Sequence, residues 1–216
     1  MEDMMTGMIS GRRSLMKAAA GAAGVSLLSS KAFASQLLPA SVTHVAPDHR
    51  AIVERARAEL DRVSHQLWRR DKVGIVDYGR RSQEPRLFIV DMMAGKVKSY
   101  LVAHGRGSDP EHDGYLNSFS NVPGSLASSR GAYCTMQWYT GKYGSSMRLE
   151  GLDPDNNLAL DRAIVVHEAW YSAPDMVAKW GKLGRSEGCF AVSPGMNKDM
   201  LYHLGGGRLL FADKIS

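Results

Sequence analysis

Two stretches decide how this chain is read: Ala163-Ile164-Val165-Val166-His167 and, further on, Gly184-Arg185-Ser186-Glu187-Gly188-Cys189-Phe190-Ala191-Val192-Ser193. The first is short and wholly apolar, the pattern of a buried central strand, and it ends on a histidine. The second presents a cysteine among small residues in a glycine-containing turn. A thiolate is the nucleophilic form of cysteine, and an imidazole within reach is one of the few devices that produce it near neutral pH. Eighteen residues separate His167 from Ser186, so a strand and a turn can deliver base and thiol to one rim. A histidine at a strand end is by itself an ordinary structural residue; its pairing with a Gly-Cys turn makes His167 a candidate general base and Cys189 a candidate nucleophile. Gly188 permits close approach of the backbone to a substrate, and the amides of Gly188 and Cys189 are candidate oxyanion donors.

Outward from this pair, the chain reads as one helix followed by many strands. Ile52, Val53, Ala56, Leu60, Val63 and Leu67 recur at helical spacing behind Asp48 as a candidate N-cap, so an amphipathic helix is expected to run to about Arg70. Strand patterns follow at 73–78, 86–91 and 96–102, the last two forming a hairpin around Met93-Ala94-Gly95. Residues 104–130 are rich in Gly, Ser, Asn, Asp and Pro and read as a long loop. A second strand pair is expected at 131–138 and 146–152, turning through Thr140-Gly141-Lys142-Tyr143-Gly144. Short helices are expected from Pro174 to Trp180 and from Pro194 to Leu204, and a last strand over 208–212. The order implies an α+β domain, mainly β.

The N-terminus carries a different message. Arg12-Arg13-Ser14-Leu15-Met16-Lys17, the small apolar stretch Ala18 to Leu28, and Ala32-Phe33-Ala34 form a twin-arginine-type export signal over residues 1–34. The apolar stretch is too short and too rich in Ala and Gly for a permanent membrane anchor. A linker over 35–47 with Pro39 and Pro47 then leads to one domain, 48–216. The expected location is exported, periplasmic. Removal of the leader takes the formal charge from +5 to +3, with no basic stripe of the kind that nucleic-acid binders carry. The chain holds two cysteines, and an oxidising compartment favours a Cys134–Cys189 disulfide. Cys134 lies in an alternating, strand-like stretch where a small buried thiol fits, so a free Cys189 is the preferred reading. His104 and His112 with Asp109 and Asp113 raise a metal site, but they lack a recognised ligand spacing.

The segment around His167 and Ser186-Glu187-Gly188-Cys189 resembles the catalytic motif of the L,D-transpeptidases, the YkuD-type murein enzymes. That motif is a His, a gap, then Ser/Thr-His-Gly-Cys. Leu101-Val102-Ala103-His104-Gly105-x-Gly107-Ser108 and Ser118-Phe119-Ser120-Asn121-x-Pro123-Gly124-Ser125 are similar to a divergent branch of the same family. Glu187 departs from the motif by standing where its second His belongs, and Phe190 and Ala191 replace a polar pair. A carboxylate beside the thiol raises its pKa unless it faces solvent or pairs with Arg185.

The resemblance implies a mixed-sheet sandwich or barrel with short helices, and a two-step acyl transfer on peptidoglycan stem peptides through a Cys189 thioester. It implies that the backbone carbonyl of Glu168 orients the imidazole, that no cofactor is needed, and that penem β-lactams acylate Cys189. Ser186, Arg185 and Glu187 are the candidate substrate contacts. Ser186 equally suits a turn-former, and Arg185 either holds a stem carboxylate or pairs with Glu187. Trp170 and Tyr171 either line a groove beside His167 or are buried. Two other readings stand beside this one: an L,D-carboxypeptidase or endopeptidase on the same fold, and a catalytically silent wall-binding module. A papain-like protease fits poorly, because there the Cys precedes the His in the chain.

Overall fold

The computed structural model describes residues 49–216; the expected export signal and linker lie outside them. Helix α1, His49–Val63, buries Ile52, Ala56, Leu60 and Val63 along one stripe, as its periodicity requires. Glu59 is also buried on that side, held by Arg55 at 3.1 Å and Arg62 at 2.8 Å. The helix stops before the expected Arg70. A single 3-10 turn over Ser64–Gln66 leads to an extended Leu67, and the amides of Trp68 and Arg69 both donate to the Gly207 carbonyl. Tertiary hydrogen bonding thus overrides a helical pattern that sequence spacing carries further.

Nine strands form one mixed sheet: β1 Lys72–Asp77, β2 Leu87–Asp91, β3 Val97–Tyr100, β4 Val102–Ala103, β5 Gly131–Gly141, β6 Gly144–Gly151, β7 Val165–Glu168, β8 Phe190–Val192 and β9 Leu209–Asp213. Their order is β3-β2-β1-β9-β5-β6-β7-β8-β4. Only β1–β9 and β7–β8 pair in parallel. The strands at the two ends of this order, β3 and β4, are consecutive in the chain and separated only by Leu101. One residue cannot span a flat sheet of this width, so the sheet curls until its edges approach, as a barrel-like sandwich does.

The curl defines an inside and an outside. Val76, Leu87, Ile89, Tyr133, Met147, Leu149, Val166, Phe190 and Leu210 pack inside, joined by Met200 and Leu204 of helix α3, Asn197–Leu204. Val73, Ile75, Phe88, Val90, Ala132, Cys134, Leu209 and Phe211 face outward and are covered by α1. Adjacent residues of β1 and β9 therefore serve opposite cores, which is why these strands read as continuous apolar runs. A smaller cluster, Ala103, Ala169, Leu183 and Ala191, packs with Met176 and Val177 of helix α2, Pro174–Trp180. Pro at the start of α2 and Gly181 at φ +67° after its end bound it as sequence signals suggest.

The second hairpin differs from the expected one. Strand pairing runs to Gly141↔Gly144, leaving Lys142 and Tyr143 alone at the tip, with a register shift between Thr135 and Trp138. Gly144, at φ +73°, supplies the left-handed turn residue. The longer ribbon carries Tyr143 to His167.

Candidate active site

Strand β7 and the turn ahead of β8 build the site. In their parallel register, Val166 lies opposite Phe190 and His167 opposite Ala191, so Cys189 falls beside Val165. Side chains two residues apart share a face of a strand, and both His167 and Cys189 open on one cleft of about 580 Å³. Ala163, just before β7, takes φ +52°, a left-handed conformation that costs a non-glycine residue about 1 kcal/mol or more. Its carbonyl lies 3.6 Å from the Cys189 Sγ and accepts from the thiol. Ala163 thus leaves the strand expected to begin there and becomes part of the cleft wall.

The imidazole of His167 is buried and its Nδ1 lies 2.8 Å from the Glu168 carbonyl. A carbonyl only accepts, so Nδ1 carries the proton and Nε2 keeps its lone pair. Tyr143 stacks on the ring, centroids 4.5 Å apart and planes at 26°. Burial lowers the His167 pKa below 6.5, and the bond to Glu168 partly opposes the shift. Burial likewise raises the Cys189 thiol above its ordinary value, helped by Glu187 and opposed by the Val165 amide and the Arg162 guanidinium. Both shifts favour the neutral forms, imidazole and thiol.

The turn that presents Cys189 is held from both sides. Ser186 is buried; its hydroxyl donates to the Cys189 carbonyl at 2.7 Å and accepts from the Gly188 amide at 3.2 Å. Ser186 thus holds the turn while still lining the cleft, and the Gly188 amide donates to it. The expected Arg185–Glu187 pair does not form. Arg185 donates to the carbonyls of Asp109 and Pro110, while exposed Glu187 meets Arg106 at 3.0 Å. Both still line the cleft.

Behind the turn lies a network that the sequence alone did not expose. Arg86 is fully buried and donates to the Val102 carbonyl at 2.9 Å, the Arg80 carbonyl at 3.0 Å and His104 Nδ1 at 2.8 Å. An arginine cannot accept, so His104 carries its proton on Nε2 and donates to Asp109 at 3.1 Å. Burial first, then the Arg86 charge, hold the His104 pKa near 3. The backbone of the same histidine accepts from the Ser186 amide, and Arg106 donates its amide to the Ser186 carbonyl. His104 and Asp109 thus brace the turn that carries Cys189. His112 instead donates to the Leu183 carbonyl, and among the described residues no group of three potential ligands is placed to hold a metal ion.

Of the remaining candidates, Tyr171 lines the cleft while Trp170 is 73% exposed and lies outside it. Cys134 is buried beneath α1, and both cysteines are free thiols. Arg162 and Tyr143 also line the cleft, and neither was singled out by sequence. Tyr143 was visible only as part of a turn, and Arg162 only as a charge ahead of an apolar run.

A family model described as the L,D-transpeptidase catalytic domain matches residues 48–212. The chain belongs to this family. Among solved structures it is similar to an L,D-transpeptidase from Mycobacterium smegmatis, at 13% identity and TM-score 0.40 over 66% of this chain and 58% of that one. An L,D-transpeptidase from Mycobacterium tuberculosis H37Rv matches at 14% identity and TM-score 0.39, over 66% and 57%. The helical cell shape determining protein Pgp2 of Campylobacter jejuni matches at 14% and 0.41, over 76% and 56%. This L,D-transpeptidase-family chain therefore spans less than three fifths of the length of these structures. Among curated proteins no match is found.

Proposed function

We propose that this protein is an exported, murein-modifying cysteine acyltransferase in which Cys189 is the nucleophile and His167 the general base. The observation that carries the reading is the shared cleft: the imidazole opens into it from β7 and the thiol from the turn ahead of β8, with His167 Nδ1 tied to the Glu168 carbonyl. An imidazole fixed in this tautomer offers its Nε2 lone pair for the thiol proton. The Cys189 Sγ attacks the amide carbonyl between the L-centre of a stem-peptide diamino acid and its terminal D-residue, and its proton passes to Nε2. The Cys189 amide receives the oxyanion. Collapse breaks the C–N bond; the D-amino acid leaves with the proton from His167, and a Cys189 thioester remains. An acceptor amine gives its proton to His167, attacks the thioester and forms the new amide, and the thiolate recovers the proton. Arg185 and Glu187 border the stem peptide, and Ser186 acts by holding the turn. No cofactor enters, because one amide is exchanged for another.

Mass spectrometry of the mature protein with a disaccharide-tetrapeptide, beside Cys189→Ala, tests this. Loss of the terminal D-residue with cross-linked or exchanged product, absent in the variant, is the expected result. Tripeptide alone identifies the carboxypeptidase, with water as acceptor. No turnover by folded, reduced protein overturns the enzymatic reading in favour of a wall-binding module. As a β-lactam amide presents the same carbonyl to the thiol, a penem is expected to add its mass to the wild type and not to Cys189→Ala.

A further inference from the structure

The motif's second histidine is replaced by Glu187, an acid that disfavours the Cys189 thiolate, so a cation in the same cleft bears on the ionisation of the thiol. Arg162 lies in the same cleft as Cys189. Its Nη1 donates to the Ser120 carbonyl at 2.8 Å and to Ser129 Oγ at 3.3 Å; its Nη2 donates to Ser125 Oγ at 3.3 Å and to the Ala127 carbonyl at 2.5 Å. All four acceptors are neutral, and they occupy the four terminal hydrogens of the fork. Among the described residues no carboxylate forms an ion pair with it. The guanidinium also abuts the nucleophile turn: a side-chain carbon added at Gly188 would stand 3.4 Å from Nη2. The next residue, Ala163, accepts from the Cys189 thiol. The whole guanidinium is thus locked in place and still carries its full charge.

Resting on Cys189 as nucleophile, we propose that Arg162 is a positioning residue for the thiolate: a fixed, un-neutralised cation that favours ionisation of Cys189 against Glu187, and that pins the 120–129 strap over the nucleophile turn. A cation held among neutral carbonyls in a partly buried site is screened little by water, so its field reaches the sulfur. Burial is the largest influence on both groups and disfavours their charged forms, with Glu187 adding to it at the thiol; against these, Arg162 and Cys189 each favour the other's charge. Its hydrogen-bond capacity being spent on the strap, Arg162 acts on the sulfur through space rather than as a ligand of the substrate.

The test reads the thiol and not turnover, so it stays informative if the chain transfers no stem peptide. The rate of Cys189 carboxamidomethylation by iodoacetamide is followed by peptide mass spectrometry against pH. In Arg162→Gln the midpoint is expected to rise by about one pH unit, and in Arg162→Lys to stay within about half a unit of wild type. Glu187→Gln is expected to move it the opposite way. Should Arg162→Gln not fold, citrulline at position 162 keeps the shape of the fork without its charge and is expected to give the same rise. A folded neutral variant whose midpoint equals that of wild type, even with a lowered melting temperature, overturns the proposal and leaves Arg162 as a strap anchor alone.

Discussion

Burial favours the neutral thiol at Cys189 and the neutral imidazole at His167, so under the proposed chemistry the thiol reacts only when that imidazole takes its proton. The base works only unprotonated, so kcat/KM on a stem peptide should fall as pH drops through the His167 pKa. Because that pKa is lowered, the inflection is expected below 6.5 rather than at it. His104 makes the same point for stability. Its folded pKa, near 3, lies below the unfolded 6.5, so the unfolded chain binds the extra proton between those values. Stability contributed by neutral His104 is complete above pH 6.5 and is lost as pH falls toward 3. Urea midpoints should decline over that window in the wild type and decline less in His104→Asn, which starts from a lower value at pH 7.5. That Cys189 and His167 share a cleft was legible at this scale, because a motif names residue types in order. Arg162 and the Arg86–His104–Asp109 network were not, because each joins groups distant in the chain whose individual residues look like solvated charges.

At the scale of elements, the β5–β6 ribbon and the 104–108 turn decide the geometry of the cleft. Tyr143 →Ala should uncover the imidazole, move the acid limb of the pH–rate profile up toward 6.5 and change the melting temperature little, since Tyr143 is 47% exposed. Gly105 has a stricter role. A methyl group there would sit 2.4 Å from the Leu126 carbonyl oxygen and 2.8 Å from the Gly188 Cα and amide nitrogen. Gly105→Ala must therefore push apart Leu126 and the Gly188-Cys189 turn, and under the proposed chemistry turnover is expected to drop by about 100-fold in protein that remains folded by circular dichroism. Most strands and the helices were readable from periodicity, and α2 agrees with its proline and glycine signals at both ends; β8, Phe190–Val192, was not, because three residues after a glycine turn are too few to show a period, nor was the break at Leu101 that divides β3 from β4. Ends set by partners were not readable: the Gly207 carbonyl shortens α1, and strand pairing lengthens β5 and β6 to two residues of turn.

For the molecule as a whole, the two faces of the curled sheet divide the labour. Helix α1 covers the outer face, whereas the cleft opens where β7 and β8 meet the 120–129 strap. Ile52 is 2% exposed in the outer core, so Ile52→Ala is expected to cost about 2–4 kcal/mol in chemical denaturation. Thiol alkylation at Cys189 should keep its wild-type pH dependence in that variant. A mainly β domain with one amphipathic helix could be anticipated from the order of patterns. The closure could not, because it depends on which distant strands pair.

That closure sets a timetable for synthesis. Strand β9 lies between β1 and β5, bonded to both, yet it follows the other eight strands of the sheet in the chain. Until Leu209–Asp213 have left the ribosome, β1 and β5 each present an unpaired backbone edge to whatever else is near. A nascent chain halted ahead of Leu209 should therefore be protease-sensitive and prone to associate, and a holding chaperone has a defined interval in which to act.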